Sequence, residues 1–412
     1  MITNEQSRAR ATQILVVLSL INLVSYAGRN ALFAVYPDLS TRYDIDYAQI
    51  GFLQTVFMIP HALATLPFGW AGDAYDRRKV IAFGVLLASV AGALGALGTS
   101  YVTLAGSRAL VGLGTAAVVP VANSILGQLY SANKASRIAV FNLGLFLGGV
   151  VGFGVGAMLG FPLVVIALAV PGVALAIVIV KQPIATHEVT TREPVSRYLL
   201  GFTRRFIGEA RTLLRIRTLR WLMLSTTAMA FAAGGYNAFM LEYLKSPTGK
   251  GMSEAAATNV LVIGLFGALA GIIVGGRAAD ALRARYVTGR LWMIAIGMAA
   301  SIPTASLAII APPNIAIYVA GVATLFTFSL YHAPMAATVD DLAPPGKSVA
   351  AQGLVIGVMH LLGTAPSSWV LGEIADRTDL TIAMWIPTGI LAIAAAAMMM
   401  ATRSFARDRQ VR

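Results

Sequence analysis

GWAGDAYDRRK, at residues 69–79, has a near copy, GGRAADALRAR, at residues 275–285. Both copies contain Gly-x-x-x-Asp with basic residues nearby, and each follows the second of six apolar stretches in its half of the chain. The residues concerned are Gly69, Asp73, Arg77 and Arg78 in the first copy and Gly276 and Asp280 in the second. One copy alone would be a weak signal. Two copies in corresponding places indicate a duplicated unit of six spans.

The motif suggests a conformational role for these loops. A glycine lets neighbouring helices approach closely. The aspartate can accept hydrogen bonds from a helix N-terminus across the loop, where the helix dipole favours negative charge. The basic residues fix the loop on the cytoplasmic side. We therefore predict that the two copies contribute to gating.

The composition excludes a soluble domain. Apolar residues make up 57% of the 412 residues, charged residues only 12%, and the mean hydropathy is +0.75. Ordinary globular chains carry about 25% charged residues, and a membrane-spanning helix needs about 20 mostly apolar residues. The sequence predicts an all-α membrane protein with twelve such helices. They lie at about 14–37, 47–71, 79–99, 102–129, 136–160, 162–181, 220–244, 254–279, 290–311, 314–338, 349–373 and 380–401.

The net charge of +13 is explained by topology rather than by nucleic-acid binding. Most of the 31 lysines and arginines fall in the N-terminus, the even-numbered loops and the C-terminus. This asymmetry predicts that both termini are cytoplasmic, in a multi-pass protein of the cell (inner) membrane. The exceptions are Arg42, Lys245, Lys250 and Arg377 in odd-numbered loops, and Arg29 and Arg108 inside spans.

The longest polar segment divides the spans six and six. We predict a six-helix bundle over residues 1–181, a cytoplasmic linker over 182–219 and a second bundle over 220–412. Residues 197–221 mix basic and apolar residues at helical spacing, which is typical of an amphipathic helix on the membrane surface or of a plain linker helix. There are no cysteines, which excludes disulfides. The first apolar stretch reads as a retained span rather than a signal peptide.

The duplicated motif in a twelve-span chain resembles the major facilitator superfamily, and within it the Spinster group. The segments that carry the second resemblance are NLVSYAGRNALFAVYPDL at 22–39, the span before the first motif copy, SRALVGLGTAAVVPVANSILGQLY at 107–130 and QGLVIGVMHLLGTAPSSWVLGEIADR at 352–377. The resemblance implies two six-helix bundles around a central cavity. It also implies transport of a lysophospholipid or sphingoid phosphate by alternating access.

Two positions depart from the Spinster pattern. The group's aspartate before the first-span arginine is Gly28 here, and its Gly-Glu-Ala in span 4 is Gly114, Thr115 and Ala116. In the group these carboxylates are the natural partners of the arginine and the natural proton carriers. Their absence leads us to expect weak proton coupling.

Arg29 is the leading candidate for substrate binding. It lies in an apolar stretch, and no acidic residue lies in the interior of any predicted span. A guanidinium at that depth costs at least ~2.5 kcal/mol on insertion scales, and arginine cannot lose its proton. Either a cavity or an anionic ligand solvates it, or it snorkels or pairs with a carboxylate at a span end. Tyr26 shares its helical face and Asn30 is rotated by about 100°, so both are candidates beside it.

Other polar residues of the predicted spans have two open interpretations, a polar cavity lining or interhelical hydrogen bonding. The candidates for substrate contact are Asn123, Asn142, Tyr331 and Gln352. Arg108, near the start of span 4, is a candidate for the conformational cycle, and with Gly112 and Gly114 it forms an Arg-x-x-x-Gly-x-Gly pattern similar to one that the superfamily links to proton handling. The alternative is that Arg108 anchors the span by bonding to loop carbonyls. Glycines at 144, 148, 152, 156 and 160 form one ridge of span 5, which predicts close packing of a neighbouring helix.

Titratable groups near the predicted spans are few. His61, His332 and His360 are candidates for proton linkage because histidine titrates near neutral pH, although a histidine in a bundle is commonly a packing residue. Asp38 lies at an outer span end and is a further candidate. We find no phosphate-binding loop and no metal-ligand spacing, so we expect no cofactor, no metal and no enzymatic activity.

The sequence therefore predicts a monomeric secondary transporter whose partners are membrane lipids, an amphipathic or anionic substrate and, in a proton-linked cycle, protons. Arg29 would hold an anionic headgroup. Two alternatives stay open: an efflux carrier for hydrophobic drugs or organic anions, and a transport-inactive lipid-binding receptor or scaffold.

Overall fold

The computed structural model describes residues 4–45, 47–184 and 202–410, and this part of the chain is helical throughout, apart from turns. The first eight helices are α1 Asn4–Ala34, α2 Tyr36–Tyr43, α3 Tyr47–Ala74, α4 Arg77–Leu97, α5 Tyr101–Thr115, α6 Val118–Leu129, α7 Lys134–Leu159 and α8 Leu163–Val180. The others are α9 Phe202–Leu214, α10 Arg217–Lys245, α11 Glu254–Arg285, α12 Gly289–Ile310, α13 Ile315–Ser329, α14 His332–Leu342, α15 Ser348–Val358, α16 Ala365–Arg377 and α17 Leu380–Gln410.

The predicted all-α membrane fold is confirmed. Among the described residues, ten helical stretches are long and apolar enough to cross a membrane. The two other predicted spans correspond to α3 and α10, which are continuous helices of 28 and 29 residues.

Three predicted spans are not uninterrupted α-helices. Span 4 breaks between α5 and α6, and span 10 breaks between α13 and α14. Span 11 contains a π-helical segment, Met359–Thr364, between α15 and α16. Short π segments widen a helix locally and are frequent at functional sites. Hydropathy alone does not signal them because the interrupting residues are as apolar as their neighbours.

The described chain forms two compact units. Unit 1 contains residues up to Ser131, Val140–Ala210 and Ala343–Gly357. Unit 2 contains Ala132–Ala139, Arg211–Leu342 and Val358–Arg412. Three helices are thus divided between the units: α7 begins in unit 2 and continues in unit 1, whereas α9 and α15 begin in unit 1 and end in unit 2. Within the predicted amphipathic segment the structure has α9, and residues 185–201 lie outside the described residues.

The glycine ridge of α7 packs directly on the backbone of α1 within unit 1. A Cβ atom added at Gly148 would lie 2.4 Å from the carbonyl oxygen of Leu23, and one at Gly152 would lie 2.2 Å from that of Ala27. Gly144 and Gly156 make the same approach one turn to either side. The predicted close packing is confirmed for these four glycines, since no larger residue fits at such distances.

We expect Gly152→Val to destabilise unit 1 strongly, because its side chain would meet backbone that cannot move without shifting α1. Overpacking typically costs about 1–3 kcal/mol and more where, as here, the clash is with backbone. Gly154→Val is the matched control, since a Cβ there meets nothing within 4 Å. Melting of the detergent-solubilised proteins checks this prediction. Equal melting temperatures for the two variants would contradict it.

Candidate functional site

Arg29 lies in α1, and aromatic and sulfur atoms surround its guanidinium. The Cζ atom is 5.2 Å from the ring centroid of Phe57 and 5.8 Å from that of Tyr26. Nη2 donates to Sδ of Met58 at 3.2 Å. Among the described residues, no carboxylate lies within ion-pair distance of this guanidinium. Ring faces stabilise a cation by up to about 2 kcal/mol when water is excluded, so the charge is held in place while its donors stay available to an anion.

Phe57 connects Arg29 with a second buried arginine. Arg108 of α5 is 5% exposed, and its Cζ atom lies 4.8 Å from the centroid of the same ring. His61, one helical turn after Phe57 in α3, stacks on that ring with centroids 5.6 Å apart. The His61 Nδ1 atom lies 3.1 Å from the Thr115 Oγ1 atom. The structure thus brings together three residues that the sequence singled out on three different spans.

A small, partly open cavity lies beside Arg29. The lining of this Arg29 cavity consists of Asn22, Ser25, Tyr26, Arg29, Phe57, His61, Thr115, Val118 and Val119. One charged donor, a few hydroxyl and amide groups and several apolar surfaces therefore share one space. Such a lining suits a ligand with an anionic group and an apolar remainder. Phe57 and Met58 were not identified from the sequence, because an aromatic or methionine in a span is commonly a packing residue.

Most of the other predicted substrate residues in unit 1 lie away from this cavity. The Asn30 side chain donates to the Tyr26 carbonyl at 2.8 Å, within α1. Asn123 is 2% exposed in α6, Asn142 is half-buried in α7, and Gln352 is fully buried in α15. None of these four residues is part of the described cavity lining. Their contribution to substrate binding stays a prediction.

Three further candidates lie in unit 2. Tyr331 is buried, and its ring stacks on that of His332 with centroids 4.3 Å apart. His360 lies in the π-helical segment, where its Nδ1 atom is 3.3 Å from the Thr364 Oγ1 atom. These contacts are compatible with packing roles, and proton linkage of the two histidines stays a prediction.

Asp38 stabilises a turn. Its exposed carboxylate accepts a hydrogen bond from the Phe161 N–H at 2.8 Å, next to Gly160, whose φ of +67° favours glycine. The carboxylate therefore fixes the connection between α7 and α8. It does not contact Arg29 in this structure, so the pairing that the sequence allowed is absent here.

The first motif copy binds the N-terminus of α15. The Asp73 carboxylate accepts hydrogen bonds from the backbone N–H groups of Val349 at 3.1 Å and Ala350 at 2.7 Å, and pairs with Arg77 at 3.2 Å. A Cβ atom at Gly69 would lie 2.9 Å from the Val349 carbonyl oxygen. The glycine thus permits the close approach, and the aspartate satisfies donors that a helix N-terminus leaves unpaired.

The second copy binds the N-terminus of α7 in the same way. The Asp280 carboxylate accepts hydrogen bonds from the N–H groups of Ala135 at 3.2 Å and Ser136 at 2.8 Å, and from the Ser136 hydroxyl at 2.7 Å. Gly276 packs against the backbone of these two residues. The sequence correctly predicted aspartates that accept from a helix N-terminus. The prediction that the donor helix lies across the same loop is wrong, because the donors belong to α7 and α15, which are far away in the chain.

Buried ion pairs surround the second copy, and the sequence did not point to them. Arg290 pairs with Asp280 at 2.9 Å and also with Asp341. Lys134 pairs with Asp340 at 2.5 Å and with Asp341 at 2.8 Å. The adjacent aspartates 340 and 341 at the end of span 10 were the available signal.

Asp76 caps the helix that follows the first copy. It accepts from the Arg78 backbone N–H at 3.0 Å and pairs with the Arg78 guanidinium at 2.8 Å. The Arg78 guanidinium lowers the pKa of the Asp76 carboxyl, so the cap stays ionised at neutral pH. Arg78 therefore supports α4 locally, whereas Arg77 supports Asp73.

A family model for the Major Facilitator Superfamily matches residues 18–367. The chain belongs to this superfamily. Spinster homolog 3 of Danio rerio is 26% identical over 401 residues, covering 91% of this chain and 78% of the relative. Human spinster homolog 1 is 26% identical over 404 residues, covering 90% and 74%. The predicted resemblance is confirmed: this superfamily member is a Spinster-type membrane transporter and not an enzyme.

Solved superfamily structures share the fold. A bacterial homolog of the human lysosomal transporter Spinster, in an inward-facing and unoccupied conformation, matches with a TM-score of 0.63 and 19% identity over 97% of this chain and 98% of its own. The human organic anion transporter MFSD10 matches with a TM-score of 0.76 and 14% identity, covering 94% and 99%. At these identities the likeness concerns the fold alone.

Proposed function

We propose that this superfamily member moves an amphipathic lipid with an anionic head, such as a lysophospholipid or a sphingoid phosphate, across the cell membrane by alternating access. The observation that carries the proposal is the Arg29 cavity. It presents a guanidinium, without a carboxylate within ion-pair distance among the described residues, next to apolar and aromatic surfaces. The resemblance of the sequence to the Spinster group implies the same class of substrate.

The cavity lining has a polar part, which suits the anionic head of the substrate, and an apolar part, which suits the rest of the molecule. The planar guanidinium of Arg29 can donate two parallel hydrogen bonds to a phosphate, which a point charge cannot do. The hydroxyl of Ser25 adds a neutral donor to the same space, whereas the Asn22 amide nitrogen already donates to the Phe141 carbonyl oxygen at 2.9 Å. Phe57, Val118 and Val119 offer apolar surface to the part of the ligand that follows the head. An inorganic anion would contact only the polar part of this lining.

The two motif copies are proposed to stabilise one state of the transport cycle. In this structure Asp73 and Asp280 each hold the N-terminus of a distant helix through two backbone N–H groups. Breaking these bonds exposes unpaired donors and a carboxylate, so the bonded state is favoured unless substrate binding offsets the loss. Arg108 contacts Phe57 of the site. We propose that the position of Arg108 changes when substrate occupies the site.

A ligand screen tests the proposed substrate class. Purified protein is melted in the presence of anionic lysolipids, zwitterionic lysolipids, hydrophobic drugs and small organic anions. A ligand that binds the folded state raises the melting temperature by mass action. We expect the largest rise with anionic lysolipids. A rise with drugs or small organic anions alone would replace the lipid proposal by an efflux carrier for those compounds.

We expect transport to depend only weakly on a proton gradient. Gly28 and Thr115 stand where the Spinster pattern has carboxylates and line pockets next to Arg108 and Arg29, and His61 is the one titratable side chain other than arginine and tyrosine in the described linings. Uptake into proteoliposomes should therefore change less than about twofold when a pH gradient is imposed. A several-fold rise that survives His61→Ala, His332→Ala and His360→Ala would show that another group carries the proton.

Both termini are proposed to be cytoplasmic, as the distribution of basic residues predicts. In that orientation the loop with Lys250 is external. Lys250 donates to the carbonyl oxygens of Ile309 and Ala311 at 2.5 and 2.6 Å, so a cysteine introduced at its exposed neighbour Thr248 is the better probe. We expect Thr248→Cys to react with an impermeant maleimide added to intact cells. Reaction only after the cells are opened would reverse the orientation.

A further inference from the structure

Three helices of unit 2 lie side by side, because α17 packs against both α10 and α12. The Thr218 Oγ1 atom of α10 lies 2.9 Å from the Ser404 Oγ atom of α17, and the Thr218 N–H donates to the Asp408 carboxylate at 2.6 Å. Further along α10, the Ser225 hydroxyl lies 2.9 Å from Sδ of Met298 in α12. Since α12 follows two spans after α10, it runs in the same direction, so both helices begin beside the last turns of α17.

Four arginines lie at this end of unit 2. Arg217 and Arg220 are three residues apart on α10, and Arg403 and Arg407 are four residues apart on α17, so each pair shares one face of its helix. All four side chains are exposed, and none of them forms an ion pair with a carboxylate of the described residues. Asp408 is the one acidic residue of α17, and it accepts a backbone hydrogen bond at the start of α10. This end therefore carries an excess of positive charge.

The two inner arginines lie at nearly the same depth. Arg220 is two residues past Thr218, and Arg403 is one residue before Ser404. Their Cα atoms therefore lie about 3 Å and about 1.5 Å inward of the contact between Thr218 and Ser404. A signal for topology alone needs basic residues near the span ends, but it does not need guanidiniums of two packed helices at one depth.

Apolar side chains continue this surface one helical turn further inward. Each of the three helices exposes a large apolar side chain there, namely Leu224 of α10, Ile296 of α12 and Met399 of α17. Trp292 lies one turn nearer the start of α12 and is 46% exposed. Tryptophan favours the headgroup level of a bilayer. We call the surface formed by Arg217, Arg220, Trp292, Arg403 and Arg407 the rim site.

A phospholipid with an anionic headgroup is complementary to the rim site. A guanidinium binds phosphate through two parallel hydrogen bonds, and Arg220 and Arg403 lie at the level of the phosphate if the acyl chains cover the apolar side chains further inward. Arg217 and Arg407 lie further outward, where the rest of the headgroup extends. A zwitterionic headgroup has an ammonium group in that place, which the arginines repel.

We infer that the rim site binds a diacyl phospholipid with an anionic headgroup, which joins α10, α12 and α17 at their common end. Arg220 and Arg403 bind its phosphate, and Trp292 and the apolar side chains contact its glycerol and acyl chains. The site belongs to unit 2, whereas the Arg29 cavity belongs to unit 1. It goes beyond the proposed transport and does not depend on it, because this lipid stabilises the protein without being carried.

Lipid-dependent melting tests the inference. Delipidated protein is melted in detergent micelles with increasing mole fractions of phosphatidylglycerol or of phosphatidylcholine. We expect phosphatidylglycerol to raise the melting temperature saturably by roughly 5–10 °C, because it binds the folded state, and phosphatidylcholine to have less than half this effect. In the double variant Arg220→Gln, Arg403→Gln the half-saturating fraction of phosphatidylglycerol should rise about thirtyfold. Both side chains are exposed, so the variant should melt near the wild type without lipid.

Three controls assign the effect to the rim site. The double variant Arg8→Gln, Arg10→Gln removes the same charge from exposed positions at the start of α1 in unit 1, and its response to phosphatidylglycerol should equal that of the wild type. Arg29→Ala should also keep the response, which separates this site from the proposed substrate site. Inorganic phosphate at constant ionic strength should not raise the melting temperature. Equal effects of the two lipids, an equal loss in both double variants, a response abolished by Arg29→Ala, or stabilisation by phosphate alone would overturn the inference.

Discussion

Arg29→Ala should reduce the affinity for an anionic lysolipid roughly ten- to hundredfold while leaving the fold intact. The substitution removes a charge-assisted contact worth ~1.5–3 kcal/mol, which corresponds to that loss of affinity. Because no carboxylate lies within ion-pair distance of Arg29 among the described residues, its removal leaves no opposite charge unpaired. The lost contacts with Phe57 and Tyr26 are offset by the removal of a half-buried charge at membrane depth, so the melting temperature should change little or rise.

Two variants sharpen this prediction. Arg29→Lys should recover only part of the affinity, since an ammonium lacks the planar fork that binds phosphate through two bonds. Arg42→Ala is the matched control, because Arg42 also lies over aromatic rings, those of Tyr43 and Phe161, but at an exposed position outside the Arg29 cavity. Melting temperature and ligand affinity are measured together. If the fold collapses and the protein that survives keeps its affinity, Arg29 stabilises the fold and does not bind the substrate.

Asp280→Ala should lower the melting temperature by roughly 6–12 °C. The Asp280 side chain is 9% exposed, accepts three hydrogen bonds at the N-terminus of α7 and pairs with Arg290, which is 4% exposed. Removing one partner of a buried ion pair costs ~3–5 kcal/mol. The lower end applies here because Arg290 keeps Asp341. Each kcal/mol corresponds to about 2–4 °C for units of this size.

Glu373→Ala is the control for this second prediction. Glu373 also pairs with an arginine in unit 2, Arg377, but the two side chains are 46% and 75% exposed. Exposed pairs contribute about 0–1 kcal/mol, so melting should shift by no more than a few degrees. If Asp280→Ala melts as close to the wild type as Glu373→Ala does, the motif aspartate does not hold α7 by its charge.

The helical fold was predictable because membrane spans require long apolar stretches, which composition and hydropathy reveal directly. The glycine ridge of α7 was predictable for a related reason, since a four-residue glycine spacing leaves only backbone contact on that side. The helix breaks were not predictable, because residues 116–117, 330–331 and 359–364 are as apolar as the helices around them. The donors to Asp73 and Asp280 depend on long-range contacts that no local pattern encodes.

The charged residues of the candidate site were predictable from the sequence, whereas its aromatic residue was not. A charge in a span is rare enough to single out Arg29 and Arg108. The Phe57 ring that holds both guanidiniums could not be singled out, because a phenylalanine in a membrane helix has many ordinary uses. Asn30 was a plausible neighbour by sequence distance, but its side chain bonds to its own helix.

Uptake into proteoliposomes tests the central claim most directly. Wild-type protein and Arg29→Ala are reconstituted in parallel, with protein-free vesicles as the baseline, and transfer of a labelled anionic lysolipid across the bilayer is followed over time. We predict saturable, protein-dependent transfer that unlabelled anionic lysolipid competes and that Arg29→Ala reduces at least tenfold at substrate concentrations below saturation. The account would be contradicted if the same proteoliposomes transported a drug or a non-lipid organic anion but transferred the lysolipid no faster than protein-free vesicles do.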